Sequence, residues 1–91
     1  MFLEALADGG VACGLPRAAA IQYAAQMMLG TAKMVLETGE HPDVLKDRVC
    51  SPGGTTIQGV RALETAGLRG AVFNAVIAAY EKNADLKKAN D

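Results

Sequence analysis

The stretch from Pro16 to Thr38 sets the strongest limit on the fold. Ile21, Ala24, Ala25, Met28, Leu29, Ala32, Val35 and Leu36 recur at i, i+3 and i+4, the spacing of a helix face. Met27 and Met34 fall on other sides of the same helix. A helix that is apolar over much of its girth needs more than one neighbour to cover it. A chain of 91 residues makes one small domain with a modest core and has few elements to spare for that task. Its apolar residues are mostly small, with no Trp and only 2 Phe and 2 Tyr. Small side chains let backbones approach closely but bury little area each, at about 25 cal/mol per Å² of apolar surface. The expectation is an all-α domain whose core is completed by a second chain. Gln22, Gln26 and Lys33 interrupt the most hydrophobic window, Ala18 to Leu36, so the segment does not suit a membrane span.

The rest of the chain also reads as helix, with no convincing strand pattern and no repeat. A first helix is expected over about Phe2 to Cys13, with Phe2, Leu3, Leu6 and Val11 roughly on one side. Gly9 and Gly10 inside it each cost about 1 kcal/mol relative to Ala, which points to close packing or a bend. Gly14 is a stop, and Pro16 suits the first turn of the long second helix, which Gly39 ends. A short third helix starts at His41-Pro42-Asp43, reaches Val49 or Cys50, and is expected to bury Val44, Leu45 and Val49. A fourth, about Thr56 to Thr65, turns Ile57, Val60 and Leu63 inward and ends at Gly67. A fifth, about Arg69 to Lys87, carries Val72, Val76 and Ala79 on one face with Phe73, Ile77 and Tyr80 beside them. The polar tail Lys87 to Asp91 is expected to fray.

Charge and cysteine usage exclude several classes. The net charge is −1, and Lys and Arg are scattered, so there is no electrostatic footprint for nucleic acid. Aromatics for stacking on bases are nearly missing. The acidic N-terminus is not a secretory signal. Cys13 and Cys50 are far apart and lack metal spacing, which reads as two reduced structural thiols in a cytosolic protein.

The segment Cys50-Ser51-Pro52-Gly53-Gly54-Thr55-Thr56 has more than a helix–helix turn requires. Thr55 with Gln58 matches a capping box, which would make Thr55 the N-cap of the fourth helix. The first amides of a helix are unpaired and carry the positive end of its dipole. No Asp or Glu occurs between Asp47 and Glu64, so this positive end has no built-in anion. Gly53 and Gly54 remove side chains that would block approach to the backbone. A small carboxylate or phosphate suits such amides, and a plain connection between helices is the competing reading. No Lys follows the second Gly, which excludes a Walker-type phosphate loop, and a G-x-G-x-x-G dinucleotide fingerprint is missing.

Other candidates are weaker. His41, at a helix start without an implied carboxylate partner, reads as a capping or surface residue rather than a catalyst. Cys50 beside Ser51 lacks a His-based constellation for nucleophilic chemistry. Tyr23 and Tyr80 read as packing residues with a polar tip, and Met27, Met28 and Met34 as core fillers. Lys33, Lys46, Arg48 and Arg61 read as solvated.

The order Pro42, Leu45, Val49, Cys50-Ser51-Pro52-Gly53-Gly54-Thr55-Thr56, Gly59-Val60, Leu63-Glu64 resembles the signature of the pyrroline-5-carboxylate reductase family, in its C-terminal domain. The flanks, ALADGGVACGLPR and Thr31 to Pro42, resemble the same family, so the resemblance covers almost the entire chain. It implies a helical domain, residues 1–91, that interlocks with a second subunit as a homodimer, with larger assemblies of dimers left open. The implied activity is the last step of proline biosynthesis, in which NADPH or NADH passes a hydride to 1-pyrroline-5-carboxylate to give L-proline. The implied substrate site is Ser51, Gly53, Gly54, Thr55 and Thr56, with the amides of Gly54, Thr55 and Thr56 on the carboxylate. Thr56 is the implied catalytic residue, its hydroxyl near the ring nitrogen as an orienting partner first and a proton donor second.

One departure is large. No βαβ pattern precedes the first helix, so the dinucleotide-binding half of the family is not expected in this chain. It reads as an excised domain with an added Met1, the alternative being a natural short paralogue. By itself it is expected to bind no nicotinamide cofactor and no metal, and to be inactive. A stand-alone helical interaction module and an anion-binding helical domain for a phosphorylated ligand are the competing functions.

Overall fold

The computed structural model describes Met1 to Asn90, with side chains through Leu86. It contains five helices: α1, Phe2–Ala12; α2, Arg17–Thr38; α3, Pro42–Val49; α4, Thr55–Thr65; and α5, Leu68–Asn90. Among the described residues there is no strand, and the fold is all-α as the periodicity requires. The expected fraying of the tail concerns side chains and a last residue outside those described. The helices belong to two compact units, one of Met1–Lys46 and one beginning at Asp47.

In the first unit α1 and α2 form a packed hairpin. The connection is a Schellman-type stop. The amide of Leu15 donates to the Gly10 carbonyl at 2.9 Å and that of Gly14 to the Val11 carbonyl at 3.0 Å, with Gly14 at φ 109°. Pro16 then holds the extended conformation, φ −60° and ψ 144°, as the N-cap of α2 rather than its first residue. An exposed ion pair between Asp8 and Arg17 joins the two helices. The far end of α2 closes on Gly39, whose φ of 68° lets its amide reach the Val35 carbonyl at 2.9 Å. Thr38 Oγ1 donates to the Met34 carbonyl at 2.7 Å and accepts from the Glu40 amide at 3.2 Å, which secures the same turn.

The buried hydrophobic residues are Ala7, Ala20 and Ala24, all on the α1–α2 seam. On α1 the buried set is Ala7, while of the residues expected on one side Phe2 and Leu6 are exposed and Leu3 and Val11 half-buried within this chain. It also differs from the inward faces expected elsewhere. Val44, Val49, Leu63, Val72, Phe73, Val76, Ile77, Tyr23, Tyr80, Met27 and Met34 are all exposed within this chain, and Leu45, Met28, Ile57 and Val60 are half-buried. The physical reason is geometric. A single neighbouring helix covers only one stripe of a helix, and the pairs α1–α2 and α4–α5 leave the remaining faces without cover inside this chain.

The second unit holds α4 and α5, joined through Ala66 and Gly67, with Gly67 at φ 78°. Arg69 Nε donates to Glu64 Oε1 at 2.6 Å across this turn. The pair is exposed, and such pairs contribute about 0–1 kcal/mol.

Candidate functional site

The loop between α3 and α4 is a β-turn with a defined chemistry. The Gly54 amide donates to the Ser51 carbonyl at 3.0 Å, so Pro52 and Gly53 occupy the two central positions. Gly53 has φ 69°. Pro first and a positive-φ Gly second is the pattern of a type II turn, in which Pro presets one torsion and Gly alone adopts the other without strain. That accounts for Pro52 and Gly53 by conformation alone.

Gly54 has φ −79° and ψ 178° and is the N-cap of α4, which begins at Thr55. The expected capping box is therefore wrong by one residue: Thr55 is the first helical position, and no side chain caps this helix start. The cause is the turn. It closes on Gly54 and delivers the chain in the extended geometry of an N-cap one residue early, and Gly is acceptable there. The consequence is a more open helix end than a Thr cap would leave.

The amides from Thr55 onward are the unpaired first donors of α4, at the positive end of its dipole. The Gly54 amide, expected on the carboxylate, is instead engaged by the turn through the Ser51 carbonyl. No acid lies in the first turn of α4. The starts of α2 and α5 share that lack, so the missing acid does not by itself single out this end. Only α4 combines it with a Pro-Gly turn and two successive hydroxyls. Ser51, Thr55 and Thr56 are all exposed, and Cys50, Gly54, Ile57 and Val60 are half-buried. The structure thus brings Ser51, Gly53, Gly54, Thr55 and Thr56 together at one helix start. Its donors and dipole suit a small anion.

The remaining candidates are placed elsewhere. His41 Nδ1 accepts the Asp43 amide at 3.1 Å, so this imidazole caps α3. Cys13 is exposed and Cys50 half-buried, both as free thiols. Among the described residues no group of three or more His, Cys, Asp or Glu side chains is placed to hold a metal ion. No helix of the described residues is long and apolar enough to cross a membrane. An open cleft of about 380 Å³ beside the α1–α2 seam is lined by Leu3, Glu4, Ala7, Asp8, Arg17 and Ile21. The described residues contain neither a strand nor a glycine fingerprint that fits a dinucleotide.

The sequence family described as pyrroline-5-carboxylate reductase dimerisation matches residues 1–86. The pyrroline-5-carboxylate reductase of Escherichia coli strain K12 is 58% identical over 89 residues, which cover 98% of this chain and 33% of the relative. That of Arabidopsis thaliana is 55% identical over 89 residues, covering 98% of this chain and 32% of the relative. The crystal structure of Plasmodium falciparum pyrroline carboxylate reductase with NADP bound superposes with a TM-score of 0.85 at 40% identity, over 89% of this chain and 31% of that one. The chain spans about a third of the length of the curated relatives it matches.

Proposed function

This chain belongs to the pyrroline-5-carboxylate reductase dimerisation family, and from that membership we propose that it is the dimerisation and substrate-holding part of a reductase that converts 1-pyrroline-5-carboxylate to L-proline. The observation that carries the reading is the uncapped start of α4 behind the Ser51–Gly54 turn. It falls on the residues where the sequence resembles the family signature.

The substrate carboxylate sits on the Thr55 and Thr56 amides, with the Ser51 hydroxyl as a further donor. Hydrogen bonds to a charged acceptor are roughly twice as strong as neutral ones. With the acid end fixed, the Thr56 hydroxyl orients the ring nitrogen. Fixing both ends of a small rigid ring sets the imine carbon in one place, and such positioning removes much of the entropic part of a barrier. A neutral Thr hydroxyl is too weak an acid to protonate the nitrogen outright, so its role is to hold the nitrogen and the water that supplies the proton. The nicotinamide nucleotide belongs to a part of the reductase outside these residues, and this chain alone does not reduce the imine.

The exposed apolar faces of α2 and α5 are the homodimer surface. Leu29 is 63% exposed, Leu36 84% and Phe73 67%, on helices that read as core from their periodicity. The cytoplasm is the compartment that suits two free thiols.

Replacing Thr56 by Val in the full-length reductase removes the hydroxyl at nearly constant volume. The expected result is a fall in kcat/KM of about 10- to 100-fold, the size of a hydrogen bond to a charged group. Unchanged kinetics overturn the assignment.

A further inference from the structure

The two glycines of the turn are there for different reasons, and the second reason concerns Ser51. Gly53 has φ 69°, which L side chains rarely adopt. Gly54 has φ −79° and ψ 178°, open to any residue. Nothing in the backbone asks for Gly at position 54, and Ser, Thr, Asn or Asp is the better N-cap.

What chiefly excludes a side chain is one atom of Ser51. A β-carbon built on Gly54 would collide with Ser51 Oγ. It would meet the Ser51 carbonyl oxygen at 3.3 Å and Ser51 Cβ at 3.6 Å, a tight and an ordinary contact. The Ser51 hydroxyl therefore occupies the volume that any other residue at position 54 would fill. It is also the one atom of the three that moves by rotation about χ1, without shifting the backbone. The Gly54 amide is already given to the Ser51 carbonyl, so Gly54 has little left to offer a ligand directly.

We propose that Gly54 is a positioning residue for the Ser51 hydroxyl: its missing side chain lets that hydroxyl stand at the open end of α4, where it meets the substrate carboxylate. A methyl group at position 54 asks the Ser51 carbonyl to give by only a few tenths of an ångström, but it drives the hydroxyl into another rotamer, away from the carboxylate. This inference rests on the reading of Ser51 as a carboxylate donor.

The test is a double-mutant cycle in the full-length reductase, with kcat and the KM for 1-pyrroline-5-carboxylate measured separately. Ser51→Ala is expected to raise KM about 10-fold, the size of a charge-assisted hydrogen bond. Gly54→Ala is expected to raise KM by the same factor, with kcat and the melting temperature nearly unchanged. In the Ser51→Ala background, adding Gly54→Ala is expected to change nothing further, because the atom it would strike is gone. Effects that multiply in the double variant overturn the proposal, since they place the role of Gly54 elsewhere. So does a double variant that fails to fold, which makes the requirement for Gly one of backbone structure. If Ser51→Ala raises KM and Gly54→Ala does not, the inference falls and the site reading stands. If Ser51→Ala leaves KM unchanged, the reading of Ser51 itself falls.

Discussion

Gly10 of α1 faces Ala20 of α2 so closely that a β-carbon on Gly10 would come within 3.3 Å of the Ala20 methyl and 3.2 Å of Leu15 Cδ1. Gly9, one residue earlier, has open space around the same position. Two adjacent glycines in one helix thus have opposite mechanical situations. Gly9→Ala is expected to stabilise the fold by about 0.5–1 kcal/mol, the helix-propensity gain. Gly10→Val is expected to destabilise it by about 1–3 kcal/mol through overpacking of the seam. Denaturant titration of both variants checks the contrast; equal effects of the same sign would refute the packing described.

The imidazole of His41 does the work of an N-cap on α3 through its bond from the Asp43 amide. His41→Ala is expected to cost about 0.5–2 kcal/mol, the range for losing a cap. His41→Asp restores an acceptor at the positive helix end and is expected to recover most of that loss. An Asp variant no better than the Ala variant argues that the imidazole matters for something other than its acceptor nitrogen.

Gly53 sits at the one central turn position that needs φ above zero. Gly53→Ala is expected to destabilise the turn by about 1–2 kcal/mol, the cost of a left-handed residue with a β-carbon. Gly53→Asn is expected to cost less, because Asn tolerates that region. Circular-dichroism melts of the two variants decide this, and identical stabilities would mean that the loop is not held in this turn.

Leu29 and Phe73 are exposed on helices whose sequence pattern is that of a core. The chain is expected to sediment as a dimer at micromolar concentration. Leu29→Asp and Phe73→Asp each place a charge on the proposed interface and are expected to weaken association at least 10-fold, a buried unpaired charge being far costlier than that. A compact wild-type monomer at those concentrations would contradict the dimer surface.

The helices were legible because their punctuation is strong. Gly14, Pro16, Gly39, Pro42 and Gly67 all stand at or beside the observed ends, where fixed or positive φ is required. The start of α4 lies one residue before the one its sequence marks, because Thr55 with Gln58 satisfies a capping-box pattern while Gly54 takes the cap in space. Periodicity marked which residues avoid water, but not whether this chain or another covers them, so Tyr23, Met34 and Val76 read as core and stand exposed. The placement of Ser51 Oγ over Gly54 had no sequence signal at all, since it depends on a rotamer and a turn closing together.

The most direct measurement is a crystal structure of the full-length reductase with L-proline bound. Both carboxylate oxygens are expected within about 3 Å of the Thr55 and Thr56 amides, with the Ser51 hydroxyl facing them. A carboxylate bound elsewhere, with the start of α4 left to solvent or filled by one of the protein's own acids, would contradict the account.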